Sequence, residues 1–455
     1  MELQEKSREI QVIKEADVVV VGGGPAGIGA AISAAKNGAH TVLIERYGFL
    51  GGMATAGLLP VITGTNSKNG RIVKGVCQDL IDRMVKLGGA IDRAELPYPD
   101  SSQVTYESFP FKYVADQMMR EAGVEVLLHT FFCDVIMEDE VIQSIIVESK
   151  SGRQAIKVKI VIDATGDGDV AARAGAPYEK GREEDSRMMG ITMCFNLRNV
   201  KLDYNLGKRR LKEYPEFNQI LYNSIEEARK NNEFPWTPEY RKGKNGKVMV
   251  VGPWLENLVK SDEISVNFTT LFGDPTDVND LTDMEIDGRV YVQKFVKFFR
   301  KYVPGFENCC LAEVATQLGI RESRRILGEY LLTADDVYQG RSFEDAIAVG
   351  GGWSVDIHRS SYEDEHIFED VSDRLFDIPY RCLLAKKTKN LLTSGRCISV
   401  SRVGLGIIRL MAPCFAIGEG AGAAAALAVK EDKDLRNINI KELQDTLRKQ
   451  GAFLQ

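Results

Sequence analysis

The stretch Asp17-Val18-Val19-Val20-Val21-Gly22-Gly23-Gly24-Pro25-Ala26-Gly27 constrains this 455-residue chain more than any other. The apolar, β-branched run over 16–21 reads as a strand buried on both faces. Gly22, Gly24 and Gly27 follow it in G-x-G-x-x-G spacing. The first glycine permits a tight turn. The second lets backbone approach a pyrophosphate, and the third lets the next helix lie close to the strand. Pro25 and Ala26 open that helix, and Gly38 stops it. Its free N-terminal N–H groups and positive dipole end meet phosphate charge. Residues 41–44 read as a second strand, ended by Glu45. A carboxylate there accepts hydrogen bonds from ribose hydroxyls and repels a 2′-phosphate, which disfavours NADP. Strand, glycine turn, helix, strand and acid, in that order, read as a dinucleotide-binding βαβ unit.

The chain is too long for one simple core and implies two domains. Its net charge of −7 leaves no dominant basic patch. Neither nucleic acid nor an anionic lipid surface is an expected partner. No uninterrupted apolar run is long enough to span a bilayer. The charged first ten residues lack a signal-peptide h-region, so a cytoplasmic location is expected. The eight cysteines form no C-x-x-C and read as reduced thiols; vicinal Cys309 and Cys310 read as buried rather than redox active. The four histidines form no cluster with cysteine at metal spacing, so no metal site is expected.

A second flexible glycine loop, with Arg46, Gly51, Gly52, Met53 and Ala54, follows Glu45. Helices are predicted near 74–87 and 113–122, and strands near 124–128 and 130–137. A hairpin is predicted from 141–148 to 154–158 around Ser151-Gly152. A further strand, 159–163, runs into a turn at Ala164-Thr165-Gly166-Asp167 and a short helix near 170–174. From about 190 to 378 aromatics, prolines and charges increase. Alternation appears at 188–197 and 265–271, and helices are predicted over 283–302 and 312–332. The segment 349–353 reads as a glycine loop. A short strand at 391–393 leads to Gly395-Arg396, 401–406 reads as a loop, and a helix covers 414–430, with Pro413 suited to its first turn. Gly418, Gly420 and Gly422 inside that helix each cost about 1 kcal/mol relative to alanine. Very close backbone packing is implied, against cofactor, sheet or another part of the protein.

These separated blocks resemble the FAD-dependent oxidoreductases of the glutathione-reductase-like fold. Closer still is a bacterial group sometimes labelled xanthan-lyase-related, to which 49–54, 319–325, 356–359, 378–383 and 395–398 are similar. The resemblance runs from about residue 16 to 430. It implies an α/β fold: a Rossmann-like FAD-binding domain, with a parallel sheet, helices and a β-meander, at 1–185 and 380–455. An inserted α+β substrate domain would occupy 186–379. It implies that 22–26, including Gly22, Gly24, Pro25 and Ala26, hold the pyrophosphate, and that Glu45, with Arg46 beside it, holds the adenosine ribose. Val135 would face the adenine edge. Gly51, Gly52, Met53 and Ala54 would lie along the ribityl and pyrophosphate. Ala164, Thr165 and Gly166, then Gly395 and Arg396, then Gly406 and Ile407, complete the implied FAD contacts. Relatives usually carry glycine–aspartate where this chain has Gly395-Arg396. Residues 410–412 would bring a helix N-terminus to the flavin O2.

The loop after Glu45 holds no cysteine, which argues against disulfide reductase chemistry, and no second dinucleotide fold is evident. His358, beside Asp356 and Arg359, is the candidate proton acceptor; a structural role is the alternative. Arg321, Arg324 and Arg325 are expected on one helix, with 321 and 325 sharing a face. They would grip a substrate anion or pair with acids such as Glu322 and Glu329. Arg381, Arg402 and Arg409 fall near the flavin end, with Tyr380 as a hydrogen-bond donor. The expected activity is hydride transfer between a small hydroxylated or carboxylated metabolite and flavin N5. An unidentified electron acceptor completes the cycle, and a homo-oligomer is compatible with the chain. Two rivals remain: an electron-relay flavoprotein that works with a protein partner, and a polysaccharide lyase.

Overall fold

Val18, Val19 and Val20 have no exposed surface, because the strand that carries them is sandwiched between helices and a second apolar layer. The computed structural model describes residue 3 and residues 9–455, except 203, 205–208, 236–238, 243–247, 252–253, 261 and 268–270. Most of the charged N-terminus and part of the 265–271 alternation lie outside the described residues.

Gln11–Val21 belongs to a seven-stranded sheet. Its parallel part runs Glu125–Leu127, Thr41–Ile44, Gln11–Val21, Gly152–Asp163 and Leu391–Thr393. Gly152–Asp163 is long enough to serve two sets of partners. Its first half pairs antiparallel with Val141–Ser149, which pairs in turn with Phe131–Glu138. Its end, 161–163, pairs parallel with Leu391–Thr393. Residues 154–158 and 159–163, expected as separate strands, are therefore one. The fold is α/β, a Rossmann-like parallel sheet with a β-meander.

Helices Pro25–Lys36, Gly75–Lys86, Ser108–Ala122 and Met411–Glu431 share the largest core. The glycines of the last helix are explained by its neighbour Pro25–Lys36. A Cβ on Gly418 would stand 2.0 Å from Ala26 O, and one on Gly422 2.1 Å from Ala30 O. The close approach is helix to helix, which offsets the poor helical propensity of glycine. Among the described residues, Met411–Glu431 is the one helix long and apolar enough to cross a bilayer, and it is buried inside the fold.

A second core lies under a four-stranded antiparallel sheet, ordered Trp254–Asn257, Ile264–Asn267, Phe195–Arg198 and Cys310–Val314. Helices Pro215–Lys230 and Val278–Tyr302 contribute to it. The latter starts before residue 283 because the Asp277 carboxylate accepts the N–H groups of Asn279 and Asp280. Apart from Leu58, this core draws on residues between Ile191 and Ile320. Leu332, Ile347, Phe376 and Ile378 join the first core instead. The second core is thus narrower than the 186–379 segment.

Three expectations are corrected. Residues 312–332 form no helix; they contain the end of strand Cys310–Val314 and strand Arg324–Ile326. Their apolar side chains are divided among three cores, with Leu318 and Ile320 in one, Ile326 in another and Leu332 in a third. Their spacing therefore mimics a single helical face. Residues 401–406 are not a loop, since Arg402–Ile408 is a helix capped by the Ser401 hydroxyl, which accepts from Gly404 N at 3.3 Å. Its glycines mark close packing: a Cβ on Gly406 would meet Asp356 N at 3.2 Å. The 349–353 segment begins in strand Ala346–Gly350, paired with Phe376–Pro379, before turning at Gly351 and Gly352.

Candidate active site

Two neighbouring cavities meet beside the parallel sheet, the larger at the C-terminal edge of its strands, where Val21, Ile44, Ala164 and Ser394 line it. The larger, of about 820 Å³, is floored by Gly22, Gly24, Pro25 and Ala26. Gly22 has φ of +100°, and a Cβ there would lie 2.6 Å from Ala164 O. A Cβ on Gly27 would lie 1.8 Å from Gly22 O. Only glycine fits either place. Gly24 precedes helix Pro25–Lys36 without a side-chain cap, so the first N–H groups of the helix remain for a ligand. Gly52 closes against this turn, since a Cβ on it would reach Gly24 Cα at 2.9 Å. Gly52 and Met53 line the cavity.

Glu45 lies on the wall and ties two turns together. Its Oε2 accepts from Gly23 N at 2.7 Å and its Oε1 from Tyr47 N at 2.9 Å. A carboxylate offers about four acceptor sites, so about two remain for a ligand. Arg46 Nη2 donates to Gln317 Oε1 at 2.5 Å, and Tyr47 Oη donates to the same oxygen. Gln317, Thr276 and Val278 thus bring the second part of the chain to this cavity.

Ala164, Thr165 and Gly166 form the opposite wall. Buried Asp163 fixes that turn by accepting from Thr165 N, Thr165 Oγ1 and Ala171 N. Burial pushes its carboxyl up to about 6 against those hydrogen bonds. Gly395 and Arg396 complete the wall. Arg396 Nη2 donates to Asp167 Oδ1 at 3.1 Å across Gly166. A Cβ on Gly166 would lie 2.4 Å from that nitrogen. Arg396 Nη1 is buried with no hydrogen-bond partner among the described residues. Arg396 is therefore charge-balanced by Asp167 on the neighbouring turn.

Five expected cofactor residues do not line this cavity. Gly51 supports it from behind, donating its N–H to Gly23 O at 2.8 Å. Ala54 is buried in the first core. Val135 packs toward the apolar layer under the meander, and Phe131, Phe132 and Cys133, nearer the strand start, line the cavity instead. Gly406 and Ile407 are buried in helix Arg402–Ile408.

The smaller cavity, of about 190 Å³, shares Met53, Arg396, Arg409 and Met411 with the larger. It contains both Arg321 and His358. Arg321 Nη1 donates to Gly190 O at 2.6 Å. Asp356 anchors the opposite wall. Its Oδ1 lies 2.6 Å from His366 Nε2, and its Oδ2 lies 2.6 Å from Arg409 Nη2 and 3.3 Å from His358 Nε2. The two imidazoles stack, with ring centroids 4.5 Å apart. Burial pushes the Asp356 carboxyl up, but the Arg409 charge and the hydrogen bonds from His358 and His366 outweigh it and hold the group well below the usual carboxylate range. Burial, then the Arg321 charge, lowers His358 to about 3 despite Asp356, so the imidazole is neutral.

Asp356, His358 and His366 bring three ligand-type atoms within 4.8 Å of one another, a grouping the cysteine and histidine spacing did not reveal. Both Asp356 oxygens are already engaged, and guanidiniums flank the group. The local field therefore favours an anion at the cavity face. The sequence signal was Asp356-x-His358: strand Val355–Ile357 pairs antiparallel with Ile367–Glu369, which brings His358, just after the first strand, beside His366, just before the second.

The remaining arginines scatter because no helix carries 321–325. Arg324 lines the larger cavity and pairs with Asp169 at 2.8 Å. Arg325 is buried against Glu322 at 2.6 Å. Arg402 also pairs with Glu322, at 3.2 Å, and donates to Ser360 Oγ. Arg381 pairs with Asp345 at 3.0 Å, and Tyr380 is buried with its hydroxyl on Leu435 O. None of Arg325, Arg402, Arg381 and Tyr380 lines either cavity.

The sequence profile of the FAD-dependent oxidoreductase family matches residues 17–447. The chain belongs to that family. Its cofactor is FAD, and the larger cavity fits it: an uncapped helix start for phosphate, a carboxylate with spare acceptor sites, and glycine turns that admit no Cβ. Curated relatives include the thiamine thiazole synthase of Methanococcus vannielii, 31% identical over 160 residues, which are 33% of this chain and 56% of that protein. The enzyme of the same name from Aeropyrum pernix is 30% identical over 185 residues, 38% of this chain and 62% of that protein. The chain thus spans somewhat more than half the length of these relatives. Among solved structures, a geranylgeranyl bacteriochlorophyll reductase-like protein from Thermoplasma acidophilum is 13% identical, with 96% of this chain and 84% of that chain covered and a TM-score of 0.47. A myxobacterial FAD-dependent chondrochloren halogenase is 12% identical, with 96% and 79% covered and a TM-score of 0.48.

Proposed function

We propose that the protein oxidises a small hydroxylated or carboxylated metabolite, held in the smaller cavity beside FAD in the larger one. The observation that carries this reading is the meeting of the two cavities at Met53, Arg396, Arg409 and Met411. FAD supplies a two-electron acceptor for a hydride from the substrate. The first N–H groups of helix Pro25–Lys36 hold its pyrophosphate, and the remaining acceptor sites of Glu45 hold a ribose. The uncapped N-terminus of Met411–Glu431 offers positive charge at the junction.

Arg321 binds the anionic group of the substrate. His358 takes the hydroxyl proton at Nδ1, the ring nitrogen that does not face Asp356, and Asp356 stabilises the imidazolium that results. The two roles are coupled. Arg321 helps to depress His358, so an anion that neutralises Arg321 strengthens the base when substrate is in place. Anaerobic mixing with a panel of hydroxy and carboxylic acids, followed by loss of flavin absorption, tests the reading. His358→Gln is expected to slow reduction by about 100-fold or more. An unchanged rate removes His358 from its role, and reduction only through a protein electron carrier favours the relay function.

A further inference from the structure

We infer that Gln317 makes the second core part of the cofactor site, its side-chain amide nitrogen donating to the ADP half of FAD. The inference concerns cofactor binding alone and does not depend on which substrate the smaller cavity takes.

The orientation of the amide is fixed by its partners. Arg46 Nη2 donates to Gln317 Oε1 at 2.5 Å, and Tyr47 Oη donates to the same atom. A guanidinium has no acceptor, so only the carbonyl end of the amide can face it. The Nε2 end is turned away from Arg46, with two N–H groups to offer. Nε2 makes no hydrogen bond to any described residue, and it is not among the buried atoms left without a partner. The residue keeps only 9% of its surface and lines the larger cavity. An amide already held in one orientation loses little freedom when it binds a ligand.

The backbone is held from both sides of the molecule. Gln317 N donates to Ala56 O at 3.1 Å, in the glycine loop after Glu45. Leu318 N donates to Glu285 Oε1 at 2.9 Å, on helix Val278–Tyr302. The neighbours Ala315 and Leu318 belong to the second core. Thr276 and Val278, at the start of the same helix, line the cavity with Gln317.

Position selects the ADP half. Arg46 and Tyr47 directly follow Glu45, whose spare acceptor sites suit a ribose. Gln317 lines the larger cavity only, whereas Met53, Arg396, Arg409 and Met411 line both and mark the flavin end. Ribose and pyrophosphate oxygens accept hydrogen bonds, which matches an amide end that can only donate.

Gln317→Glu tests this, because it keeps an oxygen for Arg46 and Tyr47 and removes the N–H donors. Release of FAD on dilution of the loaded variant, read by the fluorescence of freed FAD, is expected to show affinity at least tenfold weaker. The ratio of ADP to FAD that displaces half of the cofactor is expected to stay as in the unaltered protein, since both ligands lose the same contact. Gln317→Met, which loses oxygen and donors together, is expected to weaken FAD at least as much. In the unaltered protein, the amides of 315–319 are expected to exchange hydrogen at least tenfold slower with FAD bound than after FAD is stripped, and ADP alone is expected to restore that protection. Unchanged FAD affinity in Gln317→Glu, a displacement ratio shifted tenfold in favour of ADP, or protection that ADP does not restore overturns the inference.

Discussion

The two cavities are built in opposite ways. The floor of the larger is local: Gly22, Gly24, Glu45 and Gly52 fall within about thirty residues, each fixed by backbone contact. The smaller gathers Met53, Thr192, Arg321, His358 and Arg409 from separate segments, and the Asp356 side chain ties His358 to Arg409. A site built on backbone tolerates no added atom. A site built on side chains is tuned by charge and yields more gradually.

Four substitutions sharpen that contrast. The largest effect is expected from Gly27→Val, which drives a side chain into Gly22 O. Overpacking of that kind costs about 3 kcal/mol or more, and the purified protein is expected to lose its flavin colour. Retained colour and an unchanged urea midpoint would break the local half of the comparison. Glu45→Gln keeps the shape but removes the charge that holds Gly23 N and Tyr47 N. Hydrogen bonds to a charged group contribute about 1.5–3 kcal/mol, so FAD affinity is expected to fall about tenfold in an apoprotein titration.

The smallest effects concern pH, and they have opposite signs in the first core and in the smaller cavity. Glu419, in the first core beside Gly75 and Val76 with Lys36 at longer range, is raised by burial from 4.5 to about 7. Its stabilisation is complete below 4.5 and is lost as pH rises through about 7. His358, facing Arg321, Asp356 and His366, is lowered by burial from 6.5 to about 3. Its stabilisation is complete above 6.5 and is lost as pH falls through about 3. Glu419→Gln is expected to remove a fall in Tm as pH rises from 4.5 to about 7, and His358→Gln a fall in Tm as pH drops from 6.5 to about 3. Identical profiles for both variants would contradict the opposed burial of these groups.

The sequence was most readable where a function is written in consecutive residues. The turn from Gly22 to Gly27, the acid Glu45 and the turn at Ala164-Thr165-Gly166 all line the larger cavity, because the turns act through their own backbone and the Glu45 carboxylate is held by nearby backbone N–H groups. Val135 missed by a few residues, since a strand pattern does not say which part of the strand reaches a cavity edge. Arg321 and His358 were singled out, yet Arg381 and Arg402, equally plausible in one dimension, are held away by Asp345 and Glu322. The helix expected over 312–332 failed for a related reason, because apolar spacing does not reveal that its residues belong to three cores.

By itself, the sequence determined the dinucleotide cradle, the α/β class and the family, since glycine positions and local order dictate backbone shape before any distant contact forms. The smaller cavity depends instead on how distant parts of the chain pack together. Only that tertiary packing joined Asp356 to His366 and Arg409, and set Arg321 across from His358. Charge balance in a buried cavity depends on which side chains meet, and that is settled by packing between segments that chain order alone does not pair.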